Sequence, residues 1–217
     1  AYFLRNDPQD IAWHTRVFAG KGNGEPIVRT RMSPLGDGFQ VAVWLRDQPD
    51  LFARICGYFD SRNLSVLDAK IHTTDDGRAL DSFVVVDPLG QVEHYRNILP
   101  MVESELTQRL TARTELAPPV RGRVSRRSRH FPIEPSVDLR PDEGGQRYLL
   151  SIVANDRTGL LYAIALVLAR HGIDLETARI TTLGERVEDV FLIEGKALHN
   201  PRTQLRFETD LLAALRA

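Results

Sequence analysis

The chain has 217 residues, 42% of them apolar, and 28 Lys and Arg against 29 Asp and Glu, a formal net charge of −1. That is enough apolar residue for ordinary packed cores in one or two domains, and the near-zero charge argues against a polyanion as partner. No apolar run approaches the roughly 18 residues of a membrane span, the opening Ala1 to Asp7 has no signal-peptide pattern, and the single Cys56 excludes an internal disulfide. A cytoplasmic protein with no membrane partner is expected, with Ala1 either inside a longer chain or at a processed terminus.

Residues 1–14 read as a short polar helix, with Asp7 and Pro8 as N-cap and first-turn pair and a packing partner expected upstream. Gly20, Gly22, Gly24 and Pro26 form a joint. Ile27 to Arg31 then alternates weakly, as an edge strand does, before residues 34–38 turn the chain. Phe39 to Leu45 reads as a strand. Leu51, Phe52, Ile55, Cys56 and Phe59 make an apolar stripe at helical spacing, so 50–62 is an amphipathic helix in which Cys56 is a core thiol, ended by Asn63. Strands over 64–73 and 79–87 flank Asp75-Asp76-Gly77, a pattern suited to a tight hairpin. Ile98, Val102, Leu106 and Leu110 predict a helix over 92–113, with a kink or break at Pro100. Arg121, Arg123, Arg126, Arg127 and Arg129 read as a solvated linker; no strand carries the aromatic pattern of an RNA platform, so no nucleic acid is expected. Two prolines in 131–139 demote that segment to an edge strand closing the first module.

Much of this then recurs. The run Asp47-Gln-Pro-Asp-Leu-Phe52 returns as Asp156-Arg-Thr-Gly-Leu-Leu161, an offset of 109 residues, 156 minus 47. The second copy reads as strand 146–154, helix 159–171, strands 173–182 and 188–194, and helix 203–216, its hairpin one residue shorter at 184–186. Strand, helix, strand, strand, helix, strand is the order of a split β-α-β unit, so the fold class is α+β: two ferredoxin-like βαββαβ modules, antiparallel sheets with helices on one face. The divisions are 1–36 as linker, helix and edge strand, 37–139 as first module and 146–217 as second. The second copy lacks a last strand, and Ile27 to Arg31 is assigned to supply it.

The loop opening the first helix of each copy is the main candidate for chemistry. Helix starts present unpaired N–H groups and partial positive charge, which suits a carboxylate, while Asp47, Asn155 or Asp156 could receive an ammonium group; an α-amino acid carries both. Candidate ligand-binding residues are Asp47, Gln48, Pro49, Asp50 and Leu51 in one loop and Asn155, Asp156, Arg157, Thr158, Gly159, Leu160 and Leu161 in the other. The second loop is preferred, because Gly159 leaves room for a ligand where Asp50 is suited to cap its own helix. The plain alternative is that Asp50, Asp156 and Thr158 are helix caps and nothing more. Millimolar binding needs about 4 kcal/mol, whereas one helix terminus supplies about 1 kcal/mol, so a real site needs a second element. That element is either the other repeat or the same module of a second chain in a homodimer, and the sequence leaves both open. Six dispersed histidines, His14, His72, His94, His130, His171 and His199, have no metal-ligand spacing, and no catalytic motif is present.

The Asp156 to Leu161 loop, its preceding apolar strand and the strand from Ile173 to Ile180 resemble an ACT domain, a small ligand-binding regulatory module. More narrowly, residues 47–52, 63–71 and 178–191, with Tyr2-Phe-Leu-Arg5 and Ile11-Ala-Trp-His14, resemble the C-terminal tandem of the bifunctional PII uridylyltransferase/uridylyl-removing enzymes. The resemblance implies a non-catalytic, glutamine-sensing regulatory region. The parent enzyme would add UMP to the PII nitrogen signal protein when glutamine is scarce and remove it when glutamine is plentiful. Its nucleotidyltransferase and hydrolase domains would lie upstream; Mg is implied for the parent and no cofactor or catalytic residue for this stretch. Thr158 stands where the family has proline, and Asp50 where it has glycine. The alternative reading is a dimerisation or protein-docking module that binds no small ligand.

Overall fold

A computed structural model describes residues 2–20, 24–34, 36, 38–88, 95–119, 133–183 and 186–216. The arginine run, His94, His130, the start of the helix predicted from 92 and the turn at 184–185 lie outside the described residues. Among those described, no helix is long and apolar enough to cross a membrane.

Two short helices, α1 (Tyr2–Arg5) and α2 (Pro8–Phe18), precede the modules. The first module runs β1 (Ile27–Met32), β2 (Phe39–Arg46), α3 (Leu51–Ser61), β3 (Ser65–Lys70), β4 (Arg78–Val86) and α4 (Tyr95–Ala112). The second runs β5 (Ser136–Pro141), β6 (Tyr148–Asn155), α5 (Leu160–Arg170), β7 (Asp174–Arg179), β8 (Thr182–Leu183), β9 (Arg186–Glu194), a 3-10 turn (Lys196–His199) and α6 (Pro201–Arg216). The sheets have strand orders β1-β2-β4-β3 and β5-β6-β9-β7, with β8 also paired to β9, and all pairings are antiparallel. These are two ferredoxin-like sheets, as the repeat predicted.

The edge strands, however, are placed differently from the expectation. Ile27–Met32 pairs with β2, from Ile27 opposite Trp44 to Met32 opposite Phe39, and so closes the first sheet rather than the second. Ser136–Pro141 pairs with β6 and closes the second sheet rather than the first. Each edge is thus a hairpin neighbour of the strand that follows it. A local pairing needs only a short loop closed, whereas the predicted exchange required a long one. The offset of 109 holds for β1 and β5 as well, so the repeat begins upstream of residue 37. Even the bulges are duplicated: register shifts at Val66/Asp68 in β3 and at Leu175/Thr177 in β7.

Alternation explains the core. Val41, Val43 and Leu45 on β2 and Phe83 and Val85 on β4 face α3 and α4, which contribute Ile55, Phe59, Val102, Leu106 and Leu110. Leu150, Ile152, Phe191, Ile193, Ile164, Phe207 and Leu211 do the same in the second module, and both halves belong to one continuous apolar cluster. Helix α4 continues through Pro100, its sixth residue, although proline has no N–H to donate to the Arg96 carbonyl. The modules meet side by side, α3 against α5 and β3 beside β7. Gly57 permits this approach: a Cβ there would lie 2.8 Å from the Tyr162 ring.

The partner of α2 is not upstream, as expected, but the outer face of the first sheet. Trp13 and Phe18 pack on Ala42, with Val17, Ile27, Trp44 and Leu80 around them, and burying each aromatic contributes about 2 kcal/mol. Asp10, 7% exposed, ties the helix down through Arg31 Nη2 at 2.6 Å and Lys70 Nζ at 3.1 Å. His14 is buried beside it, with Nδ1 2.7 Å from the Tyr2 hydroxyl, and burial pulls its pKa down to about 4. The first sheet is therefore covered on both faces, a departure from the expectation of helices on one face only.

Candidate functional site at the module interface

Both predicted loops run into the seam between the modules. The chain leaves β2 at Arg46, turns through Asp47 to Asp50 and enters α3; 109 residues later it leaves β6, turns through Asp156 to Gly159 and enters α5. Asp50 has φ 61° and Gly159 φ 80°, so the same left-handed turn starts each helix, and Asp50 holds a conformation that favours glycine. The Asp50 side chain makes no cap hydrogen bond, contrary to the expectation that it caps α3, and its left-handed backbone departs from the extended conformation typical of capping residues.

Two cavities result, related by the repeat. The first, about 260 Å³, is lined by Asp47, Gln48, Pro49, Asp50 and Leu51 of the first loop and by Ala165, Leu168, Ala169, Ile173 and Asp174 of the second module. The second, about 40 Å³, is lined by Asp156, Arg157, Gly159, Leu160 and Leu161 and by Cys56, Phe59, Asp60, Leu64 and Ser65 of the first module. Each cavity thus draws lining residues from both repeats of the chain. Thr158 does not line the second cavity, and Asn155 is engaged elsewhere: its Oδ1 accepts from Ile133 N and its Nδ2 donates to Ile133 O, both at 3.3 Å.

The floor of each cavity carries a residue that the loop pattern did not single out. Asp81 of β4, 1% exposed, sits between Ala79 and Phe83 on the inward side of its strand and lines the first cavity. Asp189 of β9, 2% exposed, occupies the same place between Val187 and Phe191 and lines the second. Each accepts one backbone hydrogen bond at a repeat-equivalent position, Asp81 from His72 N at 3.4 Å and Asp189 from Thr181 N at 3.1 Å. Burial pushes the Asp81 carboxyl up to about 8 and the nearby Asp47 charge adds to this; burial and Asp156 push Asp189 to about 7. An Asp on the buried side of a strand in both copies was a signal available in the sequence.

Electrostatics differ between the cavities. Around the first stand Asp47, Asp50, Asp81 and Asp174, with no Lys, Arg or His among its lining residues. Burial raises Asp47 above the usual carboxylate range, the Gln48 N–H at 2.9 Å lowers it and Asp174 raises it again. Gln48 Nε2 is buried with no hydrogen-bond acceptor among the described residues. Around the second, Arg157 answers the acids. Burial lowers its pKa, partly offset by Asp60, and its Nη2 donates to Ala214 O at 2.7 Å in the last turn of α6. Among the described residues no group of three or more His, Cys, Asp or Glu is placed to hold a metal ion.

Comparison with known proteins sets this geometry in context. No family model matches the chain. It is 61% identical over 98% of its length to a bifunctional uridylyltransferase/uridylyl-removing enzyme of Ralstonia nicotianae, covering 25% of that protein. The corresponding figures for the same enzyme of Cupriavidus metallidurans are 58%, 99% and 25%. The chain is thus closely similar to one region of these enzymes. It spans about a quarter of the length of the curated relatives it matches. Among solved structures, an aspartate kinase from Synechocystis aligns with 82% of this chain and 26% of its own at a TM-score of 0.45 and 11% identity.

Proposed function

We propose that this tandem is the amino-acid-sensing region of an enzyme that attaches UMP to, and removes it from, the PII signal protein, with L-glutamine as the ligand. The observation that carries this reading is the pair of repeat-related interface cavities, each combining a helix-initiating loop from one module with an apolar wall from the other and an aspartate at its floor. Such a site offers N–H groups to an α-carboxylate and a carboxylate to an α-ammonium group. The first cavity falls just below the roughly 300 Å³ lower end of ordinary small-molecule pockets. The second holds on the order of three waters at ~10–15 Å³ each. The Asp156 to Leu161 loop therefore serves as a ligand site only if its cavity widens, whereas Asp47 to Leu51 already borders a usable one. Ligand regulates the parent enzyme only insofar as it binds one arrangement of the modules better than another. A scaffold that binds no small molecule has no use for acids buried beside a cavity, and the reading of a docking module draws no support from them.

Calorimetric titration of the chain with L-glutamine, with L-glutamate and L-serine as controls, tests the proposal. Saturable heat with glutamine alone is expected. Asp47→Ala should then abolish it with the fold intact, and Asp156→Ala should weaken it only if the second cavity opens to ligand. A folded protein that gives no heat with any of the three returns the tandem to the docking reading.

A further inference from the structure

The first cavity is lined by a buried carboxyl and by a buried amide donor that has no partner among the described residues. Asp81, 1% exposed, receives only the long 3.4 Å contact from His72 N among the described residues. Gln48, which lines the same cavity, buries an Nε2 donor that finds no acceptor among the described residues. Buried polar groups are normally satisfied, and each exception calls for an explanation. Gln48 Nε2 is such an exception, and it shares the cavity with the buried Asp81 carboxyl, so that a donor for an oxygen and a carboxyl that can receive a cation line one space.

We propose that Asp81 is the seat of the ligand's primary ammonium group in the first cavity, and that it receives this cation by giving up its own proton, while Gln48 donates to a ligand oxygen. The inference rests on the amino-acid reading above and adds to it an orientation and a proton count. The neutral Asp81 carboxylic acid meets the ammonium, its O–H proton leaves to solvent, and the carboxylate and ammonium remain as an ion pair. Charge balances, since one cation enters and one proton departs.

The titratable groups facing Asp81 favour this exchange. Asp47 of the loop is acidic and raises Asp81. Asp174 of β7 acts on Asp47 in the same sense. From α3, Cys56 is a neutral thiol pushed upward by burial and by Asp81 itself. From the chain after β3, the His72 backbone N–H approaches and works the other way, lowering Asp81. No basic residue stands among the lining, and burial together with the Asp47 charge keeps Asp81 protonated near neutral pH. A second carboxylate so close makes the ionised pair unfavourable until a cation arrives.

The test is calorimetric titration with L-glutamine near neutral pH in phosphate and in Tris, buffers of very different ionisation enthalpy. Release of on the order of one proton per bound ligand is expected, read as a difference in observed heat between the buffers at unchanged affinity. Asp81→Asn, which replaces a neutral acid by a neutral amide of the same shape, should remove that buffer dependence and weaken binding about tenfold or more. Saturable binding with identical heats in both buffers overturns the inference and leaves the glutamine reading standing. No binding at all overturns both. Should Asp81→Asn fail to fold, the two-buffer comparison on the unaltered chain decides the question alone.

Discussion

The two interface cavities are copies of one design and yet differ more than sixfold in volume, about 260 Å³ against about 40 Å³. Repeat-equivalent positions account for the difference. The first cavity is lined by Ala53, Ala165 and Ala169, where the second has Tyr162, Cys56 and Asp60. Three small side chains on the helices leave a hole, and three larger ones fill it. Tyr162 matters most, because its ring lies in the seam and its hydroxyl donates to Ala117 O at 2.5 Å, anchoring the segment that leaves α4. Gly57 opposite is the accommodation for that ring. The comparison teaches that the duplicated loops do not by themselves decide which site is open; the facing helix of the other module does.

The most disruptive way to break this asymmetry is to exchange the helix residues. Tyr162→Ala removes a ring that is 3% exposed and should cost about 3 kcal/mol in a denaturant-unfolding experiment, while enlarging the second cavity. The reciprocal Ala53→Tyr should fill the first cavity and abolish glutamine heat. If Ala53→Tyr leaves binding untouched, the first cavity is not the ligand site, whatever its size.

The floor aspartates offer a finer probe. Asp81 is held near 8 and Asp189 near 7, both above the usual 3.8. The folded chain therefore keeps two protons that the unfolded chain surrenders. This stabilisation is fully present below the unfolded value and is lost as pH rises toward 7 for Asp189 and toward 8 for Asp81, at about 1 kcal/mol per pH unit for each group. His14, lowered to about 4, works the other way: its contribution is present above its unfolded 6.5 and lost as pH falls toward 4. The total slope is thus a partial cancellation, and the informative quantity is a difference. Between pH 4 and pH 8, Asp81→Asn should remove about 1 kcal/mol per pH unit of decline relative to the unaltered chain. Parallel stability curves for the two proteins would show that Asp81 ionises normally.

How far the sequence leads differs from element to element. The strand-helix-strand-strand-helix order was legible because inward residues recur at period two in β2, β4, β6 and β9 and at helical spacing in α3 and α5. The edge strands were not, since β1 and β5 are half-exposed and weakly patterned, and an edge can be claimed by either sheet when only its own residues are considered. Position would have settled it: Val28 and Val137, and Arg31 and Arg140, stand at the repeat's own offset of 109. The docking of α2 escaped because the outer face it covers consists of alternate residues, Ala42, Trp44 and Leu80, on strands already explained by their other side. Of the site, the loops were visible as polar interruptions. Asp81 and Asp189 were a signal left unused, since an acid on the buried side of a strand is costly enough to demand a reason. Which cavity would be larger depends on residues from both modules at once and follows only from their mutual placement.

The smallest expected effect concerns the turn itself. Asp50 and Gly159 occupy equivalent positions with the same sign of φ, and only glycine adopts that conformation without a steric penalty. Asp50 recovers nothing through capping, so the strain is uncompensated within the helix start. It does, however, add a fourth carboxylate to the lining of the first cavity. Asp50→Gly should therefore stabilise the chain by about 0.5–1 kcal/mol in thermal or denaturant unfolding. If the carboxylate has been kept for the ligand's cation, the same substitution should weaken glutamine binding by a few-fold at low ionic strength, with the loss shrinking as salt is added. Gain in stability with unaltered affinity would instead mark Asp50 as a residue tolerated at a glycine position, and would leave Asp47 and Asp81 as the acids that matter to the ligand.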